Sequence, residues 1–266
     1  MVMIPFRVQF AAASIVIVIS GDAERESWPA TGGEQMSTQK APNAQVQISK
    51  NGPYMVSGNL PMSRQTIGTN PAGESVKWIE GETFPAQKSY ALCRCGHSGK
   101  KPYCDGSHAK LNFDGTETAS RETYQQQAKI MPGPDMSLTD AASLCAFARF
   151  CDPNGQVWTL VKETNNPVAR KNFVREVGDC PSGRLVAWDN ATGKPVEPKH
   201  EPSIGLVEDP ANQCAGPIWL RGGVQVIGSD GFHYEVRNRV TLCRCGASNN
   251  KPFCDGTHAS TKFKDD

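Results

Sequence analysis

From Val46 onward the apolar positions fall in short runs of the kind that build strands. Val46-Gln-Ile48 alternates, and Asn51-Gly-Pro-Tyr-Met-Val-Ser-Gly58 reads as a turn followed by a strand. Ala215-Gly-Pro-Ile-Trp-Leu-Arg-Gly222 repeats the design: Gly-Pro, three apolar residues, one polar residue and Gly. The region between them is mixed. Gln125 to Ser137 is polar and contains Pro and Gly, which predicts a linker. Ser137 or Thr139 is placed to cap a helix running through Ala148. The apolar run Val157-Trp-Thr-Leu-Val161 predicts a strand. Asn166-Pro167 opens a helix that carries Val168, Phe173, Val174 and Val177 near helical spacing and stops at Gly178. Cys180-Pro-Ser-Gly then leads into a strand ending at Trp188. The pattern as a whole predicts an α+β protein, β-rich at both ends with an α+β insert between.

A second repeat follows each Gly-Pro strand. Residues 93–108 read CRCGHSGKKPYCDGSH and residues 243–258 read CRCGASNNKPFCDGTH, with eleven of sixteen positions identical. Packing alone tolerates more substitution than this, so a site is the expected cause. Cys93 and Cys95 stand two apart, which puts both side chains on one face of an extended segment. Cys104 and His108 stand four apart, on one face of a helical turn. Gly, Ser and Lys-Pro supply the chain reversal between the pairs. Asp105 and Asp255 are placed as N-caps of the short helices. Two pairs of soft ligands suit a two-iron cluster, one pair per iron. A single tetrahedral zinc in a structural or interaction module is the alternative, although Cys-x-Cys makes a cramped chelate. Arg94 and Arg244 are expected to point away from their flanking cysteines toward the surface or a partner. Phe113 and Phe263, in register after the two loops, are expected to cover them from one side. Trp78 and Phe84 are expected to pack.

The spacing C-x-C-x8-C-x3-H, with its last ligands inside C-D-G-[ST]-H, resembles the CDGSH iron-sulfur domain family. The resemblance implies one [2Fe-2S] cluster per motif. Cys93 and Cys95 would hold one iron and Cys104 and His108 the other, with Cys243, Cys245, Cys254 and His258 repeating the set. Single-domain relatives pair as homodimers, so two copies in one chain imply an intramolecular pseudo-dimer whose units meet through their upstream strands. The middle region, Cys145-x5-Cys151 with a distant Cys180-Pro181, resembles the divergent single-cluster ferredoxin-type domain. The bacterial pattern expects a cysteine at 148, where this chain has Ala148. Three thiolates suit a [3Fe-4S] cluster, or a [4Fe-4S] cluster with its fourth ligand from elsewhere. Cys214 is the spare cysteine, and nothing near it marks it as that ligand. The competing reading is that Cys145, Cys151 and Cys180 pack as small apolar residues.

Composition narrows the function. With 28 basic and 27 acidic side chains the net charge is +1, which argues against binding nucleic acid or anionic membranes through bulk charge. Ten cysteines with C-x-C spacing and companion histidines favour metal ligation in a reducing compartment over disulfides. No nucleophile–base pair, phosphate loop or dinucleotide fingerprint supports an independent substrate site, so an electron or cluster carrier is expected rather than an enzyme. The expected partner is a redox or cluster-acceptor protein. A redox subunit of a larger oxidoreductase is a further alternative. The expected organisation is a tail over 1–37, a first CDGSH unit over 38–120, a linker over 121–136, a ferredoxin-like domain over 137–210 and a second CDGSH unit over 211–266. Phe10 to Ser20 is too short to span a bilayer at ~20 residues per crossing. Flanked by Arg7 and Gly21-Asp-Ala23, it resembles a signal peptide, but a start at Met36 and a cytoplasmic protein are preferred.

Overall fold

A computed structural model describes residues 44–265, so the tail and its apolar run lie outside the described residues. In chain order the strands of the first half are β1 (Gln45–Ile48), β2 (Tyr54–Ser57), β3 (Met62–Thr69), β4 (Ser75–Thr83) and β5 (Ser89–Leu92). The middle carries β6 (Lys129–Pro132), β7 (Met136–Asp140), β8 (Leu185–Asp189) and β9 (Lys194–Val196). The second half carries β10 (Ser203–Asp209), β11 (Cys214–Arg221), β12 (Gln225–Ile227) and β13 (Arg239–Leu242). The helices are short: α1 (Ser107–Lys110), α2 (Tyr124–Gln127), α3 (Val157–Leu160), α4 (Pro167–Gly178) and α5 (Thr257–Ser260). The result is a mixed α+β protein dominated by sheet.

The repeat is visible in strand register. Tyr54 on β2 pairs with Leu92 on β5, and Ile218 on β11 pairs with Leu242 on β13, both antiparallel. Each hairpin has a further antiparallel neighbour, β1 beside β2 and β10 beside β11. The fourth strand of each set comes from the other half of the chain. β12 adds in parallel to β1, and β3 adds in parallel to β10. The sheet orders are therefore β12-β1-β2-β5 and β13-β11-β10-β3-β4. The longer stretch between Pro53 and Cys93 than between Pro217 and Cys243 accommodates β3 and β4, which lengthen the second sheet. The inner faces of both sheets share one core that includes Val46, Tyr54, Leu92, Ile204, Ile218 and Leu242. Exchange of strands makes neither hairpin unit complete without the other, because an open edge strand is covered only by the partner half.

The middle sheet, β6-β7-β8-β9, departs from the sequence expectations in three places. The expected linker is ordered: Tyr124 to Gln127 forms a helix under a Thr123–Gln126 capping box, and Lys129 to Pro132 is an edge strand. The helix expected after Ser137 is strand β7, paired residue for residue with β8, followed by a 3₁₀ turn at Ala142–Leu144. Thr139 spends its hydroxyl on Tyr124 and Trp188, at 2.9 Å each, and caps nothing. Val157 to Leu160 is a helical turn, with Val157 and Val161 fully buried. Val157, Leu160 and Val161 are buried and Thr159 exposed, a helical spacing that a five-residue, mostly apolar run is too short to announce. Helix α4 is as expected, with Asn166 Oδ1 accepting from the amides of Val168 and Ala169.

Glu176 on α4 is a buried carboxylate that ties the loop after Cys151 to the helix, accepting from Asn154 at 2.8 Å. Burial raises its pKa to about 7, and Oε2 has no hydrogen-bond partner. The folded state therefore binds more protons than the unfolded chain between the ordinary carboxylate range and about pH 7, and stability falls as pH rises through that window. Glu176→Gln is expected to flatten the pH dependence of Tm between about pH 5 and 8 and to raise Tm at the upper end. A variant that melts lower than the wild type at pH 8 would contradict this.

Candidate metal centres

Each loop leaves a hairpin strand and returns through the same backbone bonds. The Cys93 amide donates to Pro102 O at 2.8 Å and the Cys104 amide to Ala91 O at 2.9 Å. Cys243 and Cys254 make the matching bonds to Pro252 and Thr241 at 2.8 and 2.9 Å. Both loops turn at a cis Lys-Pro bond. The donors that result are superposable. Cys93 Sγ lies 3.8 Å from Cys95 Sγ, and Cys104 Sγ lies 3.3 Å from His108 Nδ1. The second loop repeats 3.8 Å for Cys243–Cys245 and 3.3 Å for Cys254–His258. Two thiolates on one tetrahedral ion at about 2.3 Å lie about 3.8 Å apart, so each pair is spaced to share a metal. Among the described residues no three His, Cys, Asp or Glu side chains converge as a single-ion site needs.

Burial and mutual proximity shape the protonation of these thiols. Burial, with Cys93 and Cys104 nearby, pushes the Cys95 thiol up to about 11. Burial likewise drives Cys254 well above the usual thiol range and holds His258 down at about 4. Cys243 is lowered to about 7, chiefly by the hydrogen bond with Cys245, whose own thiol is raised in exchange. Thiols crowded this way resist ionisation alone, whereas coordination to a metal deprotonates them outright. The amides of Gly106 and Gly256 point at Cys104 Sγ and Cys254 Sγ, 3.4 Å each.

The capping expectation needs a one-residue correction. Gly106 and Gly256 occupy the N-cap positions in left-handed conformation. Asp105 accepts from the Ser107 amide at 2.9 Å and the Gly99 amide at 2.8 Å, and Asp255 does the same with Thr257 and Asn249 at 3.0 and 2.8 Å. Hydrogen bonds from Ser107 and Gly99 hold the Asp105 carboxyl well below its usual range. At Asp255 burial opposes ionisation and is outweighed by the bonds from Thr257 and Asn249. The carboxylates thus staple the ends of each loop together.

The arginines overturn their expectation. Arg94 and Arg244 are 2% and 3% exposed and face inward. Arg94 donates to Gly115 O at 2.5 Å and lies over the rings of Tyr54 and Phe113. Arg244 donates to Val207 O and pairs with Glu208 and Asp265. Both arginines lie in the bends just after β5 and β13, and their side chains run into the interior rather than toward solvent. Phe113 and Phe263 are tied to their loops through the backbone, their amides bonded to the carbonyls of His108 and His258. Trp78 and Phe84 pack, Trp78 against Phe150 and Trp219, and Phe84 against Tyr103.

The two loops touch each other at ligand residues. Gly96, at φ +80°, leaves no room for a Cβ, which would fall 2.5 Å from Cys245 O, and Gly246 stands in the same relation to Cys95 O. Tyr54 adds a cross-link from the first half, donating to Cys243 O at 2.8 Å. Gly96→Ala is expected to cost roughly 2 kcal/mol or more, from the left-handed backbone and the clash together. Gly106→Ala, with similar φ but open space around it, is expected to cost only about 1 kcal/mol. Denaturant midpoints of the two variants check the contrast; equal losses would refute it.

Two regions, residues 51–109 and 215–259, match the family model described as iron-binding zinc finger, CDGSH type. Both loops belong to CDGSH domains. Such domains mark the chain as an iron-sulfur protein. Residues 131–190, lying between the two CDGSH domains, match the divergent 4Fe-4S mono-cluster model. No curated protein and no solved structure matches the chain. Among the described residues, no helix is long and apolar enough to cross a membrane.

Cys145, Cys151 and Cys180 line one cavity with Ser182 and Arg184, although among the described residues they do not form a three-donor group close enough for one metal ion. Phe147 and Arg149 have positive φ, 56° and 62°, inside the Cys145–Cys151 loop. Burial, with Asp152 and the other two cysteines, pushes Cys151 up to about 12. The donor count is three, and the cavity is small, about 20 Å³. Cys214 lies elsewhere, buried at the start of β11, and does not line that cavity.

Proposed function

We propose that the protein holds two [2Fe-2S] clusters, one per CDGSH domain, and passes single electrons or whole clusters to a partner protein. Cys93, Cys95, Cys104 and His108 are the proposed ligands of the first, and Cys243, Cys245, Cys254 and His258 those of the second. The observation that carries this reading is the duplicate spacing of the donor pairs, 3.8 and 3.3 Å in both loops. Bound there, the core supplies one-electron redox chemistry. The chain does the tuning. A neutral imidazole in place of a fourth thiolate leaves the site formally near −1 when oxidised, which eases electron entry. The Gly106 and Gly256 amides favour the more negative state by hydrogen bonding to sulfur. Because proton and metal compete for imidazole, acid promotes loss of the cluster.

The two halves are read as an internal counterpart of a homodimer, a monomer that is its own partner; the exchanged strands β3 and β12 and the reciprocal Gly96–Gly246 contact support this. A third cluster at Cys145, Cys151 and Cys180 is supported by the middle family match; three thiolates suit a [3Fe-4S] core, or a [4Fe-4S] core whose fourth ligand comes from elsewhere. A reducing, cytoplasmic setting suits ten free cysteines.

Freshly purified anaerobic protein should be coloured and contain about four irons per chain with matching sulfide, or about seven to eight with the third site filled. Colourless protein carrying zinc would overturn the redox reading.

A further inference from the structure

The two CDGSH sites repeat each other in sequence, yet their surroundings differ at the Cys-His pair. Around Gly106 there is nothing within 4 Å of a Cβ position, whereas at Gly256 the same position meets Phe147 Cβ at 3.0 Å and the Cys145 carbonyl oxygen at 3.4 Å. Cys104 and His108 are half-buried; Cys254 and His258 are each 3% exposed. The other pair runs slightly the opposite way, Cys245 being more open than Cys95. The cover over the second site is latched. Arg149, two residues beyond Phe147, forms a two-pronged ion pair with buried Asp209 at 2.7 and 3.0 Å. Asn250 of the second loop donates to Ser143 O at 2.9 Å, and the Thr118 and Ala119 amides donate to Lys251 O.

We infer that the middle region is a cap on the second CDGSH site, so that the first site exchanges its cluster with acceptor proteins while the second retains it. This rests on the two-cluster reading above and divides the labour between the sites. Ligand exchange needs an incoming donor to reach the metal, and the labile imidazole corner is open only at His108. In the exchange the [2Fe-2S] core moves intact with no change in electron count. Four acceptor thiols lose their protons as they bind it, and Cys93, Cys95 and Cys104 take up three as they release it. One proton per cluster goes to solvent, and His108 leaves as neutral imidazole.

The test uses the loaded full-length chain with an apo-ferredoxin as acceptor, followed anaerobically by the circular dichroism of the newly formed ferredoxin. Loss to a ferrous chelator, read as the remaining [2Fe-2S] EPR signal after reduction, serves as a control that needs no acceptor. One cluster per chain is expected to leave in a fast phase, with the other at least about tenfold slower. Cys104→Ala should abolish the fast phase and Cys254→Ala should keep it. Phe147→Gly, which suits the positive φ, should speed the slow phase alone. Equal rates for both clusters, or a fast phase lost with Cys254→Ala, would overturn the inference. A chain that loads without any [2Fe-2S] signal would instead overturn the underlying two-cluster reading.

Discussion

Replacing Arg239 by alanine is expected to cost about 3–5 kcal/mol, a large share of an ordinary folding stability of about 5–15 kcal/mol. Arg239 sits on β13, next to the second loop, and is 1% exposed. Its guanidinium donates to Glu197 through Nε at 2.8 Å and again through Nη2. It also donates to the carbonyls of Val177 and Cys180 at 2.7 Å each, Gly178 at 3.2 Å and Leu185 at 3.0 Å. Truncation would take the cation from the Glu197 carboxylate, 10% exposed in its side chain and left with the Asn238 amide alone, and remove a donor from four backbone carbonyls at once. Two of those carbonyls close the C-terminal end of α4, where a cation is favoured in addition by the helix dipole. The residue is therefore the joint between the middle region and the second CDGSH domain. Guanidinium unfolding checks the value; a loss below about 1 kcal/mol would mean that water replaces the side chain without penalty.

Exchanging His108 for cysteine should lower the reduction potential of one cluster by about 100 mV or more while leaving the other unchanged. A thiolate adds a full negative charge at the ligand position, and a reduced core tolerates that charge less well than an oxidised one. The same exchange removes the ligand that protons capture most readily, so the altered cluster should keep its colour to lower pH than the wild type. Nδ1 of His108 is the atom that faces Cys104 Sγ, so a shorter side chain must draw the α1 turn inward to reach the metal. A redox titration followed by EPR separates the two sites. An unchanged potential and unchanged acid lability would remove His108 from the ligand set, and with it the parallel assignment of His258.

Much of the candidate site was legible in the chain because its parts are local. Ligands two and four residues apart, a turn between them and an acidic staple beside them are all fixed within sixteen positions, and the structure repeats the pairings to the same distances. The α4 start was legible for the same reason: Asn166 and Pro167 act on amides in their own turn. The repeated Gly-Pro strands were legible because their register to β5 and β13 follows from the same alternation.

Arg94 and Arg244 were read as surface residues because a charge between two ligands has no local partner; the tertiary fold supplies carbonyls, carboxylates and rings from distant segments and turns them inward. β7 and α3 were misassigned because Ser137 to Ala148 and Val157 to Val161 satisfy more than one pattern, and only pairing with β8 and burial against α4 choose between them. By itself the sequence determined the paired Cys-x-Cys and Cys-x3-His donors, their duplication and the strands that carry them, since these depend on neighbours along the chain. Tertiary structure alone decided which half lends which strand, where the arginines end and which of two near-identical sites lies beneath Phe147. Those outcomes depend on contacts between residues far apart in sequence, where packing and desolvation, not local periodicity, select the arrangement.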